Sequence, residues 1–169
     1  MSVKITENVF SDSLLEKLFI FSRDGKQPTK TNFFSWGADV VGGSNAIFLF
    51  NLEEDLKKEV AQELIFKGIL KKEPTAWKGN IFLMSRNSHI PWHHDGGYTF
   101  SITVYLNKVW DPNFGGFLLY EDGEDIKAYL PKYNSAVSFA PPLQHCTTLT
   151  SNFSPLRESL QIFIDDTVV

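Results

Sequence analysis

The chain has a single cysteine, Cys146, in 169 residues. One thiol can form no internal disulfide and no cysteine-based zinc site, and so sparse a use of cysteine suits a reducing, intracellular compartment. No apolar run approaches the roughly 20 residues of a membrane-spanning helix. The N-terminal residues also lack the basic-then-apolar pattern of a secretory signal. A cytoplasmic protein without a membrane partner is therefore expected. A basic block is missing too: 16 Lys and Arg stand against 20 Asp and Glu, a formal charge of −4. That balance argues against nucleic acid as the partner. With no internal repeat, low-complexity tract or linker, residues 1–169 are expected to form a single domain.

Aromatic residues are plentiful. Fifteen Phe, five Tyr and four Trp favour strands and a filled sandwich or barrel interior. The helical signals fall in the first part of the chain. Residues 11–21 carry Leu14, Leu15, Leu18 and Phe19 at helical spacing behind a capping Ser11 or Ser13. Residues 22–32, polar and holding Gly25 and Pro28, read as a loop. Residues 45–50 read as a short strand or the lead-in to a helix over 51–70. That helix is capped by Asn51 and has Leu52, Leu56, Val60 and Leu64 on one stripe. From residue 76 onward the pattern is one of short strands: 79–85, 100–107, 116–120, 125–129, 136–140, 145–150 and 158–164, with Pro, Gly and Asn turns between them. The expected architecture is mainly β, a sandwich or barrel with Greek-key connections. A helical support region over about 1–75 packs on one sheet of a core over about 76–169.

The chemistry concentrates in Ile90-Pro91-Trp92-His93-His94-Asp95-Gly96-Gly97. On an extended segment, positions i and i+2 project from one face, so His93 and Asp95 aim one imidazole and one carboxylate at a common point. His94 then faces the other way, and His89, close to Pro91, reads as a loop histidine. His145 is the remaining histidine, far enough along the chain to approach from another strand. Two histidines and one carboxylate make the facial set that holds non-haem iron(II) with positions left open. Twelve residues after His145 comes Arg157, at the start of the last strand. Facing inward, its guanidinium would require an anion, which it could grip in bidentate fashion. Facing outward, it would pair with Glu158. Tyr105, and Ser159 on the same face as Arg157, could add donors to a carboxylate.

In order along the chain come His93-His94-Asp95, Val104-Tyr105-Leu106-Asn107-Lys108-Val109-Trp110, Gly115-Gly116-Phe117-Leu118, the turn Pro131-Lys132-Tyr133-Asn134, Ala136-Val137-Ser138-Phe139, His145 and Arg157. Over residues 80–165 this series resembles the iron(II)- and 2-oxoglutarate-dependent oxygenases, specifically their prolyl-hydroxylase-like branch. The resemblance implies a double-stranded β-helix (jelly roll, cupin-like). It implies a catalytic iron triad of His93, Asp95 and His145, with Arg157, Tyr105 and Ser159 binding the cosubstrate. The implied cofactors are Fe(II), 2-oxoglutarate and O2, with ascorbate as reductant. The implied partner is a peptide, protein or free amino-acid substrate. A carboxylate at 95 favours hydroxylation over halogenation, since related halogenases carry a small residue there. A tyrosine often found upstream of the first ligand has no counterpart in Leu83-Met84-Ser85-Arg86. Two alternatives remain: a cupin-like metal enzyme that uses no 2-oxoglutarate, and a non-catalytic jelly-roll binding module.

Overall fold

Alternation along Arg157-Glu158-Ser159-Leu160-Gln161-Ile162-Phe163-Ile164 gives this strand two unlike faces, and both are covered. The computed structural model describes residues 3–23, 30–33 and 46–166. Its elements in chain order are β1 (Lys4–Glu7), α1 (Asp12–Phe21), β2 (Lys30–Phe33), β3 (Ala46–Asn51), α2 (Glu54–Phe66), β4 (Trp77–Met84), β5 (Ile90–His93) and β6 (Phe100–Tyr105). They continue with β7 (Leu118–Asp122), β8 (Asp125–Tyr129), β9 (Ser135–Phe139), β10 (His145–Thr147) and β11 (Arg157–Ile164). Seven strands form one sheet in the order β1-β9-β6-β11-β4-β3-β2, and four form the other in the order β5-β10-β7-β8. Every pairing is antiparallel. This is the expected jelly roll with its helices on one sheet.

The odd and even positions of β11 explain the layering. Leu160, Ile162 and Ile164 join Ile81, Ile102 and Val104 on the outer face of the large sheet. There they pack against Leu14 and Leu18 of α1 and Val60 and Leu64 of α2. Arg157, Ser159 and Gln161 face the other way, into the space between the sheets. A smaller apolar cluster of Tyr105, Leu118, Val137, Phe139 and Leu143 joins the sheets there. The helices are tied to each other as well as to the sheet: Glu63 of α2 accepts from the backbone N–H of Ser11, the residue whose hydroxyl caps α1.

Several boundaries differ from the sequence expectation. The second helix begins at Glu54 rather than Asn51 because Asn51 is the last residue of β3, paired with Asn80. Ladder hydrogen bonds there outweigh a side-chain cap, and Glu53 at the N-cap makes no such bond. Residues 30–32 belong to β2, not to a loop, because β3 offers them a partner; residues 24–29 lie outside the described residues. β1 was not anticipated at all. Its short polar sequence acquires a strand conformation only through β9. β7 starts at Leu118 instead of residue 116, since Gly115 and Gly116 both adopt positive φ, 68° and 67°. β10 ends at Thr147, and Thr150 instead bridges to Gly115.

Candidate metal centre and anion pocket

β5 and β10 pair so that His93 and His145 stand directly opposite each other, with ring centroids 4.2 Å apart. Asp95 follows two residues beyond the end of β5's pairing. One of its carboxylate oxygens, Oδ1, is 3.6 Å from His93 Nε2, and the other, Oδ2, is 3.9 Å from His145 Nε2. All three prospective ligand atoms lie within 4.8 Å of one another. Among the described residues no other group of three His, Cys, Asp or Glu gathers in this way. His94 is exposed and His89 lies outside the group.

The two imidazoles are aimed by the same device. His93 Nδ1 is 2.8 Å from the Pro91 carbonyl, and His145 Nδ1 is 3.0 Å from the Leu143 carbonyl. A carbonyl only accepts, so each Nδ1 carries a proton, and in the neutral imidazole the lone pair is on Nε2. This is the arrangement by which ligating histidines are held in orientation and tautomer. Burial, reinforced by the neighbouring His93, holds the His145 pKa below its ordinary value. For Asp95, burial works to raise the pKa, but interaction with His93 and His145 in their protonated forms, together with the adjoining Ser101 hydroxyl, outweighs it, and the net shift is downward. Neutral imidazole and ionised carboxylate are the forms that bind a metal. The donor set of two nitrogens and one carboxylate fits iron(II) with open positions.

The second constellation is built around Arg157, which is only 2% exposed. Its Nε donates to the Gly116 carbonyl at 3.0 Å, and its Nη1 lies 3.6 Å from Met84 Sδ. The guanidinium carbon sits 5.2 Å from the centre of the Tyr105 ring. No carboxylate pairs with it among the described residues; Glu158, its neighbour in sequence, binds Arg23 on the other face. A buried guanidinium with no counter-ion costs several kcal/mol. The Tyr105 hydroxyl beside it is likewise buried, and apart from its interaction with Arg157 its hydrogen has no acceptor among the described residues. Ser159, fully buried, stands opposite Tyr105 in the β11–β6 ladder. A set of donors lacking an acceptor is a pocket suited to an anion.

Two glycines shape this pocket. A Cβ on Gly116 would lie 3.0 Å from Arg157 Cδ and 3.2 Å from Trp110, and one on Gly115 would lie 2.2 Å from the Leu149 carbonyl oxygen. Trp110 Nε1 donates to the Gly115 carbonyl at 2.9 Å and so fixes the turn that delivers the Gly116 carbonyl to Arg157.

Burial pushes the Tyr105 phenol up to about 12, against the opposing charge of Arg157. It therefore stays protonated, a donor, throughout the neutral range. A spectrophotometric titration should show a late tyrosine ionisation near this value that is missing in Tyr105→Phe. The unfolded phenol ionises first, near 10.0, so the folded state loses stability as pH rises from there through about 12. An unchanged titration curve in Tyr105→Phe would contradict this assignment.

Of the residues singled out in the sequence, the structure brings His93, Asp95 and His145 into one group and sets Tyr105 beside Arg157 and opposite Ser159. Sequence reasoning did not name Met84, the Gly116 carbonyl, Ser101, Thr103 or Gln161. A signal for the last three was present: alternate residues of β6 and β11 are polar, and they share the inner face.

Scans against protein-family models and against curated protein sequences find no match. Solved structures do match. A prolyl-4-hydroxylase from Pseudomonas putida aligns with a TM-score of 0.68 at 13% identity, over 98% of this chain and 92% of that one. A prolyl hydroxylase from Trichoplax adhaerens, solved with a hypoxia inducible factor peptide fragment, aligns with a TM-score of 0.72 at 14% identity, over 97% and 83%. The non-heme alpha-ketoglutarate-dependent epimerase SnoN aligns at 0.65 and 12% identity, over 98% and 79%. The chain has the fold of these enzymes. Within this oxygenase fold, the likeness spans nearly all of the chain, the two helices included.

Proposed function

We propose that the protein is an iron(II)- and 2-oxoglutarate-dependent dioxygenase that hydroxylates a prolyl residue, another peptide side chain or a free amino acid. The observation that carries this reading is the occurrence of two constellations, one borne by each sheet. One is a three-ligand metal set; the other is a buried guanidinium beside a phenol whose hydrogen has no acceptor among the described residues. A cupin-like enzyme without the cosubstrate would leave Arg157 and Tyr105 unexplained. A passive binding module would leave both constellations unexplained.

In this reading His93, Asp95 and His145 hold iron(II), and Arg157 grips the distal carboxylate of 2-oxoglutarate with Tyr105 and Ser159 as further donors. Iron(II) with O2 and 2-oxoglutarate supplies the oxidation: substrate C–H, 2-oxoglutarate and O2 become C–OH, succinate and CO2. The protein's own contribution is positional. The Pro91 and Leu143 carbonyls hold a proton on each Nδ1 and so direct each Nε2 at the metal position, and Asp95 stays ionised beside Ser101. The inter-sheet wall of Met84, Tyr105 and Phe139 excludes water around the charged end of the cosubstrate and around His145. The neighbour solved with a peptide supports a peptide substrate. The role of ascorbate as a reductant rests on the resemblance alone.

Aerobic incubation with iron(II) and labelled 2-oxoglutarate should release succinate, and a productive prolyl peptide or amino acid should stimulate the release. Absence of turnover together with absence of metal binding would overturn the reading.

A further inference from the structure

The inner face of β11 carries a chain of hydrogen bonds that the metal centre does not use. Thr103 Oγ donates to Gln161 Oε1 at 2.7 Å, and Gln161 Nε2 donates to Ser159 Oγ at 3.0 Å. Thr103 and Gln161 are direct cross-strand partners, as are Tyr105 and Ser159. With the amide in this orientation, Gln161 occupies an acceptor site on Ser159. The Ser159 hydrogen is thereby turned elsewhere, and it has no acceptor among the described residues. Arg157 lies two residues before Ser159 on the same face, and Tyr105 lies opposite.

We propose that Gln161, oriented by Thr103, is a positioning residue that commits the Ser159 hydroxyl to donate into the Arg157–Tyr105 pocket. It thereby sets the affinity of that pocket for a dicarboxylate cosubstrate. A serine hydroxyl can rotate to donate or accept. Left alone between Gln161 and an anion, it could donate in either direction. A glutamine oxygen already engaged by Thr103 leaves only the amide N–H to face Ser159. The relay thus converts an ambivalent hydroxyl into a fixed donor before the anion arrives, which removes an ordering cost on binding. The inference rests on the 2-oxoglutarate reading.

The test is a double-mutant cycle read by calorimetric binding of 2-oxoglutarate to the Mn(II)-loaded protein. Gln161→Leu is expected to weaken binding by about 2- to 10-fold, the ordering cost of one side chain, because the Ser159 hydroxyl remains but is no longer held in orientation. In a Ser159→Ala background the same change should have almost no further effect, because its whole action passes through that hydroxyl. Thr103→Val should weaken binding by a smaller factor, and Thr103→Ser should restore it. Mn(II) affinity should hold steady across the set. In turnover, KM for 2-oxoglutarate should rise while kcat at saturation stays within a factor of two. Additive effects of Gln161→Leu and Ser159→Ala, or a Thr103→Val protein that binds like wild type, would overturn the relay while wild-type binding left the cosubstrate reading standing. Failure of the wild-type protein to bind 2-oxoglutarate would overturn both.

Discussion

Arg157→Leu is expected to abolish measurable 2-oxoglutarate binding while leaving the unliganded fold as stable as before, or more so. Both halves come from the same fact. The guanidinium is buried without a counter-ion among the described residues, so the free protein bears a desolvation cost of several kcal/mol. Leucine removes that cost but strands the Gly116 carbonyl, a loss of about 1–3 kcal/mol, and ends the weaker contact with Met84 Sδ. The two nearly offset. On the ligand side, truncating one partner of a buried charge pair costs about 2–5 kcal/mol, or roughly 30- to several-thousand-fold in Kd. The measurement is a pair of melting curves. With 2-oxoglutarate at about 100 times its Kd, the wild-type protein gains about 2.7 kcal/mol, which is about 5–11 °C at this chain length. The variant should show no such shift. A variant that melts well below wild type yet keeps its ligand-induced shift would mean that Arg157 is a structural residue.

His145→Ala carries the other large effect. Replacing a residue that merely orients a ligand costs about 10–100-fold in metal affinity, so deleting one of three ligands should cost more than about 100-fold and end turnover. The substitution also vacates a contact with Phe139, whose ring lies 4.9 Å away, and leaves the Leu143 carbonyl without its donor. A modest fall in melting temperature should accompany the loss of metal. The companion variant is His94→Ala. That side chain is exposed and outside the ligand group, and its removal should leave Mn(II) affinity unchanged. Equal losses in both variants would mean that the histidines bind metal as a loose cluster, not as a defined set. Retention of metal by His145→Ala would remove it from the centre altogether.

The site could be read from the sequence to the extent that its geometry is local or periodic. His93 and Asp95 converge at a two-residue spacing, and β11 declares its two faces by the alternation of Ser159, Leu160, Gln161 and Ile162. What escaped is geometry that depends on pairing. Met84 meets Arg157 because they are cross-strand partners, and nothing in Leu83-Met84-Ser85-Arg86 says so. The Gly116 carbonyl reaches Arg157 only because two successive glycines take a left-handed backbone and a tryptophan holds the turn. The fold followed the same rule. Helices with apolar stripes and strands rich in β-branched residues were legible, whereas β1 and β2 are short polar segments that exist through their partners.

The i-to-i−2 tether of each imidazole has a consequence for how this centre tolerates change. Both nitrogen donors are oriented by main-chain oxygens, those of Pro91 and Leu143. Every residue type offers such an oxygen, so substitution of neighbouring side chains leaves the tether's acceptors in place. Neighbouring side chains can therefore change while the histidines stay pointed, provided that β5 and β10 stay in register.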